Sequence, residues 1–465
     1  MRIEEITQKA LKLVKPSERE EERFRRFIDK AVEEVRKASS DVEGVVEISV
    51  EGSAAKNTWI RGREEVDIFV HFDPSVQKDS MEKEIIGVGF RAIKALGGKP
   101  RLMYAEHPYV EGVINGYTVD VVACYRVNPP NWLSATDRTP YHTRYVLGKL
   151  WRGGEDEVRL LKAFMIGCGV YGAEIKVKGF SGYLTELLTI GYGGFLKTLE
   201  AVKEWRPPII LDIEGRYPSS EDILKAFPNQ SLVVVDPVDR GRNAAAAVSD
   251  TRLAELILAS KLFLEKPSLN FFKPKEAKPS LRELRKLMRG RSFLAIFFRI
   301  RDERPPDVLW GELKRSEEGV KRGLERLGFH VYRSSSWSDK RRCLILLELH
   351  STTLPRTTLH KGPPTYLPTA LEFLRKWGKK AAAGPWVDGL RLYALRRVEE
   401  TRARRLLREE IKAGRIAISH GILEPVKRAR IYDDLEKLLK IAGRSKEILE
   451  FIAWFLRGRP PFLDE

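Results

Sequence analysis

The stretch from Gly52 to Val70 constrains this 465-residue chain more than any other. Gly52-Ser53 follows an apolar strand candidate, Val45 to Val50, and eleven residues (54 to 64) separate Ser53 from Glu65, which opens a second strand candidate ending at Phe72. The pattern predicts a strand, a turn, a short helix and a strand. Side chains alternate faces along a strand, so Val66, Ile68, Val70 and Phe72 point into a core while Glu65, Asp67, Phe69 and His71 point the other way. Two carboxylates then share one face, with Cα atoms about 6.5 Å apart. Carboxylates at that spacing can converge on metal ions roughly 3.5 to 4 Å apart.

A third acid makes this more than a solvated strand face. Val110 to Ile114 and Tyr117 to Ala123 flank Asn115-Gly116, a strong hairpin signal because both turn positions need φ > 0. Asp120 lies in the second of these strands between Val119 and Val121, where a charge without a partner is expensive. Three carboxylates on neighbouring strands, with no basic residue alternating among them, form an oxygen-rich site suited to Mg²⁺ and substrate phosphates.

Gly-Ser, then Glu-x-Asp on one strand, then a lone Asp on a later one resembles the polymerase-β-type nucleotidyltransferase superfamily. Within it the chain resembles the archaeal, class I CCA-adding tRNA nucleotidyltransferases. The resemblance is carried by Gly52-Ser53 through Asn57-Thr58-Trp59, Tyr104-Ala105-Glu106-His107-Pro108-Tyr109, Asp137-Arg138-Thr139-Pro140-Tyr141-His142 and Glu157-Val158-Arg159-Leu160-Leu161-Lys162. It continues in Tyr171-Gly172-Ala173-Glu174, Gly179-Phe180-Ser181-Gly182-Tyr183-Leu184 and Val235-Asp236-Pro237-Val238-Asp239. It is dense over residues 1 to 275 and loose beyond.

The resemblance implies template-independent addition of C, C and A to the 3′ end of tRNA from CTP and ATP, with release of pyrophosphate. It makes Glu65, Asp67 and Asp120 the catalytic, Mg²⁺-holding acids, and Ser53, Lys56, His142, Lys162, Tyr171 and Arg242 the nucleotide-binding residues. Lys56 departs from the arginine usual in relatives, which keeps the charge and loses the planar fork. His142, Lys162 and Tyr171 fall where the triphosphate and sugar are held, and Arg242 faces the base, where its donors alone cannot separate cytosine from adenine. Two other readings share parts of this evidence. A poly(A) polymerase or oligoadenylate synthetase has the same acids and needs ATP alone, and a catalytically retired RNA-binding protein would have no need of all three acids.

Composition agrees with an RNA partner. The net charge is +18 and the sequence pI about 9.6, and such a protein favours a polyanion, bound more weakly as salt rises. Cys124, Cys168 and Cys343 lie far apart without Cys-x-x-Cys spacing, so reduced core thiols are expected rather than a zinc site or disulfides. No run of about 18 apolar residues or signal-peptide pattern is present, so a cytoplasmic protein without membrane partners is expected. Self-association into a homodimer is left open.

The fold class expected is α+β and multidomain: a nucleotidyltransferase head (1–140), a helical nucleotide-binding central domain (141–270), a small ferredoxin-like β-α-β-β body domain (271–360) and a basic tRNA-binding tail (361–465). Ile3 to Leu13 reads as an amphipathic helix, Ser17-Glu18-Arg19-Glu20 as a capping box, and Ser181 as a helix cap, the latter helix being taken as scaffold. Asp239 to Asn243 is expected to lead into an alanine-rich helix. The body is read from a strand over Phe293 to Ile300, a helix over Glu317 to Leu327, and strands over Phe329 to Ser334 and Cys343 to His350. Gly362-Pro363-Pro364 reads as a loop before the tail. Residues 371 to 430 hold 16 Lys or Arg against 7 Asp or Glu, an excess of nine positive charges that includes the run Thr401 to Arg408. Clustering of one sign there favours tRNA phosphates.

Overall fold

A computed structural model of the protein describes residues 2–104, 107–273, 279–302, 304–442 and 445–463. Ala105 and Glu106 of the family stretch lie outside the described residues. The chain divides into two compact units, Met1–Glu276 with Pro460–Glu465, and Ala277–Arg459.

The first unit opens with helices α1 (Ile3–Val14) and α2 (Glu18–Ala38). The capping box that starts α2 is present: the Glu20 amide donates to Ser17 Oγ, and the Ser17 amide donates to the Glu20 carboxylate at 2.7 Å. Strand β1 (Val45–Glu51), the single turn α3 (Gly52–Ala55), β2 (Glu65–Phe72), α4 (Lys78–Ala95) and strands β3 (Arg101–Tyr104), β4 (Pro108–Ile114) and β5 (Tyr117–Tyr125) follow. The strands form one sheet in the order β1-β2-β5-β4-β3, with β2 and β5 parallel and the other pairs antiparallel. Asn115 and Gly116 take φ of 51° and 90° in the β4–β5 turn.

Val66, Ile68, Val70 and Phe72, with Val119, Val121 and Ala123, are buried against α2 and α4. The alternation therefore places Asp67 and Asp120 on the opposite face. Phe69 and His71, expected on that opposite face, are also buried, because it too is covered away from the acids; His71 Nε2 lies 2.8 Å from Ser49 Oγ.

Helices α5 (Thr139–Lys149), α6 (Gly154–Gly167), α7 (Gly182–Tyr192) and α8 (Phe195–Lys203) continue the unit, followed by β6 (Ile209–Leu211), α9 (Ser220–Ala226), β7 (Leu232–Val234) and α10 (Asp250–Glu265). Helix α6 is buried on nearly every side from Val158 to Met165. Phe164 sits at the centre of an aromatic cluster with Phe195, Phe263, Phe271 and Phe272. Phe462, from the far end of the chain, stacks on Phe271 with ring centroids 5.8 Å apart.

The alanine-rich helix expected after Asn243 does not form. Ala244 to Ala247 lie in turns, and the next helix starts at Asp250, capped by Ser249. Helix propensity loses here to tertiary hydrogen bonds: the buried Asn243 amide accepts from the backbone N–H of Val234 and Ala245 and donates to the Leu232 carbonyl. Asn243→Ala leaves those groups unpaired, and urea unfolding should show a loss of about 2–3 kcal/mol.

In the second unit, α11 (Leu281–Met288), β8 (Ser292–Arg299), α12 (Pro306–Arg326), β9 (Val331–Ser338) and β10 (Arg342–Leu349) give the expected β-α-β-β order. Helix α12 begins well before Glu317, with Pro at its first turn and Leu309, Trp310 and Leu313 buried. Next come β11 (Thr357–Pro364), α13 (Thr369–Lys380), β12 (Ala381–Asp388) and β13 (Arg391–Arg397), a three-stranded sheet ordered β11-β13-β12. Gly362-Pro363-Pro364 thus ends a strand rather than forming a loop; β11 lies at the sheet edge, where proline costs little.

The basic run forms α14 (Ala403–Lys412), and α15 (His420–Lys427), β14 (Arg430–Tyr432), α16 (Leu435–Ala442) and α17 (Lys446–Arg457) complete the unit. Strand β14 pairs antiparallel with Phe297 to Ala295 of β8, so the four-stranded sheet runs β14-β8-β10-β9. Its fourth strand comes from the segment read as tail. In α14, Arg404 and Arg405 pair with Asp433 and Glu400 at 3.4 and 3.0 Å. The three cysteines are buried and unpaired.

Candidate active site

Two strands aligned in parallel build the acidic centre. Asp67 of β2 lies directly opposite Asp120 of β5 in the ladder, and Glu65 stands two residues before Asp67 on the same face. Ligand oxygens of the three carboxylates all lie within 4.8 Å of one another. The row extends sideways, because Glu51 of β1 pairs with Asp67 and Glu111 of β4 pairs with Asp120. Neither flanking acid stands out in the sequence, since each becomes a neighbour only through strand register.

Carboxylates crowded together resist ionisation, the more so from the exposed Glu65 through the half-buried Asp67 to the buried Asp120. Burial and the charges of Glu65 and Asp67 push the Asp120 carboxyl up to about 9. Burial and Glu65 push Asp67 up to about 7. Burial, then Glu111, raises Glu65. Asp120 Oδ1 is buried and has no hydrogen-bond partner among the described residues. An all-oxygen donor set, mutual repulsion and an orphaned buried acceptor fit a hard divalent cation, which would relieve all three at once.

The Gly52-Ser53 turn presses against these acids. Gly52 has φ of +67°, and a Cβ there would lie 1.9 Å from Asp67 Oδ2. Only glycine lets the turn approach so closely. The α3 turn then delivers Lys56, Asn57 and Thr58.

Lys56 and Lys162, read from sequence as nucleotide-binding, are brought together by a residue the sequence did not single out. Glu186 of α7, 1% exposed, accepts from Lys56 Nζ at 2.6 Å, Lys162 Nζ at 3.3 Å and Thr58 Oγ1 at 2.7 Å. Lys162 also donates to the Thr58 carbonyl and hydroxyl at 3.1 and 3.0 Å. Burial pulls the Lys162 ammonium down, against the opposing pull of Glu186. Tyr171 borders the same spot: a Cβ on Gly182 would lie 3.0 Å from its hydroxyl and 3.9 Å from Lys162 Nζ. Burial and the Glu186 and Glu65 charges raise the Tyr171 phenol, which stays protonated as a donor.

His142 and Arg242 meet on a second unforeseen acid. Asp236 accepts from His142 Nε2 at 2.9 Å, Arg242 Nη1 at 2.7 Å, the Tyr183 hydroxyl at 3.0 Å and the Val238 amide at 2.9 Å. Burial alone would raise Asp236, but these donors hold it well below the usual carboxylate range. Burial lowers His142, whose ring stacks on Tyr183 at 4.0 Å. The Arg242 side chain is 37% exposed and has donors left after its one bond to Asp236. A helix glutamate and an aspartate before proline carry no local mark of burial, so Glu186 and Asp236 become visible only in three dimensions.

Residues 28–142 match the nucleotidyltransferase domain family, 156–273 the second domain of tRNA nucleotidyltransferases, and 289–432 the C-terminal domain of CCA-adding enzymes. The CCA-adding enzyme of Pyrobaculum islandicum is 36% identical over 91% of this chain and 97% of its own length. That of Methanothermobacter thermautotrophicus is 37% identical over 96% of each. The solved structure of a cytoplasmic RNA terminal U-transferase overlaps 59% of this chain and 100% of its own at a TM-score of 0.46 and 13% identity. With relatives this similar along nearly its whole length, the chain belongs to the CCA-adding enzyme family.

Proposed function

We propose that the protein adds C, C and A in turn to the 3′ end of tRNA, consuming CTP and ATP and releasing pyrophosphate, with Mg²⁺ held by Glu65, Asp67 and Asp120. The observation that carries the reading is the ladder register that sets Asp67 against Asp120 with Glu65 beside them. When bound there, divalent cations lower the pKa of the RNA 3′-hydroxyl and neutralise charge on the phosphates. Asp120 is the acid on the strand away from the Gly-Ser turn, suited to the hydroxyl and its proton. Glu65 and Asp67, beside the turn, suit the triphosphate side.

Ser53, Lys56, Lys162 and Tyr171 border that side and offer hydroxyl and ammonium donors to phosphate oxygens. His142, buried and stacked on Tyr183, orients sugar or phosphate. Arg242, with donors to spare, addresses acceptors on the base. With no nucleic-acid template implied, the choice of C or A falls to a pocket formed by the protein and the RNA end together.

Purified protein with Mg²⁺, CTP and ATP should extend a tRNA lacking its terminal CCA by three nucleotides, resolved one at a time on a gel. With CTP alone it should stop after two. Extension by ATP alone on unrelated RNA would instead make the protein a poly(A)-type polymerase.

A further inference from the structure

We propose that the cavity between β1 and α5 binds a small zwitterion, its ammonium taken by Glu51 at the floor and its acidic group by Arg144 at the mouth. The cavity measures about 420 Å³, the size of a small-ligand site, and lies wholly within the first unit. It is not the nucleotide subsite. Successive residues of a helix are turned by about 100°. Pro140, Thr143, Arg144 and Leu147 of α5 therefore share the face that lines the cavity, while His142 points the opposite way, to Asp236 and Tyr183.

The floor holds a carboxylate without a counter-ion. Glu51 is 4% exposed; its Oε1 accepts from Ser49 Oγ at 2.6 Å, and its Oε2 is buried with no hydrogen-bond partner among the described residues. The hydroxyl of Thr143, 6% exposed on the facing helix, is likewise buried without a partner. The groups around Glu51 do not neutralise it. Asp67, opposite in the ladder, adds negative charge, and Lys56 bonds Glu186 at 2.6 Å. His71 lies 2.8 Å from Ser49 Oγ, and burial lowers its pKa, which favours the neutral ring. Asp137 already accepts from the amides of Tyr125, Leu133 and Ser134. Water could bond to both orphaned oxygens but would leave the buried charge uncompensated. A ligand ammonium supplies the charge and the N–H groups together.

The mouth carries the opposite sign. Arg144 is exposed, lies over the Tyr141 ring at 4.7 Å and forms no ion pair among the described residues. Arg126, also at the mouth, makes one long contact with Glu47, at 3.8 Å. Two guanidiniums against one rim carboxylate disfavour a plain cation and suit a ligand carboxylate or phosphate. Glu47 and Glu51 lie four residues apart on β1, about 13 Å of strand, so the two ends of the ligand are separated by a chain of several carbons. Pro140 and Leu147 give that chain an apolar wall.

The probe is 6-aminohexanoate, titrated calorimetrically into the full chain with excess Mg²⁺ and no nucleotide. A Kd below about 1 mM is expected. Hexylammonium and hexanoate, with one of the two charges each, should bind about tenfold more weakly or worse. Comparison with 6-aminohexyl phosphate tells a phosphate ligand from a carboxylate one by which of the two binds tighter. Glu51→Gln and Arg144→Ala should each weaken 6-aminohexanoate about tenfold, and Thr143→Val about threefold. No binding at about 10 mM, equal affinity for either single-charge analogue, unchanged affinity in Glu51→Gln, or competitive displacement by CTP overturns the proposal. Should Glu51→Gln fail to fold, the other two variants decide, and affinity unchanged in both overturns it. Binding is measured without tRNA or nucleotide, so the outcome is independent of the reading of nucleotide addition.

Discussion

Asp120→Asn should abolish nucleotide addition, by roughly 10³-fold or more in kcat, and yet make the metal-free protein more stable. Both effects have one origin. Asp120 is 8% exposed and faces Asp67 across the ladder with Glu65 near by, so its negative charge is held at a cost that only a cation repays. The neutral amide removes that cost along with the ligand. Folding raises the carboxyl from its ordinary 3.8 to about 9. The folded state therefore keeps a proton that the unfolded chain releases, and stability present below about pH 4 is lost progressively as pH rises through 9.

Urea unfolding of EDTA-treated protein should accordingly show wild type losing stability between pH 5 and pH 9 more steeply than Asp120→Asn. At pH 8 the variant should be ahead by about 1–3 kcal/mol. Adding Mg²⁺ should close the gap by stabilising wild type alone. A variant less stable than wild type at pH 8 without metal would contradict the repulsive cluster.

Gly52→Ala should cost about 10²-fold in activity although it adds only one methyl group. The added carbon would fall 1.9 Å from Asp67 Oδ2 and 2.9 Å from its Cγ. Either the turn backs away or Asp67 swings out of line with Asp120, and displacement of about 1 Å at a reacting centre is enough for a loss of this size. Gly62→Ala is the control. Gly62 has φ of +80° with nothing within 4 Å of the position a Cβ would take, so it carries the same backbone penalty without the collision. Gly62→Ala should keep activity within about threefold. Equal losses in both variants would show that backbone strain, rather than the Asp67 contact, is responsible.

The acids were legible in sequence because local rules converge on them. Period-two alternation assigns a face to Asp67, and Asn115-Gly116 fixes the hairpin that puts Asp120 in a strand. What alternation cannot say is which strands become neighbours, so Glu51 and Glu111 passed unnoticed beside the triad. Glu186 and Asp236 were missed for a related reason. Each lies in a stretch that looks like ordinary scaffold, and its meaning comes from partners 130 or 94 residues away or across a turn. The expected alanine-rich helix failed because Asn243 offers the backbone better partners than a helix does. In the second unit the β-α-β-β order was readable, but the three-residue strand Arg430–Tyr432 is too short to leave a periodic signal.

Both units are closed by residues near the end of the chain: Arg430–Tyr432 covers the edge of β8, and Phe462 fills the aromatic cluster around Phe271. A ribosome that stalls or is truncated before residue 430 would release a polypeptide with the β8 edge bare and a gap beside Phe271. Such an edge invites pairing with another chain. A polypeptide without those residues would therefore be open to aggregation or proteolysis.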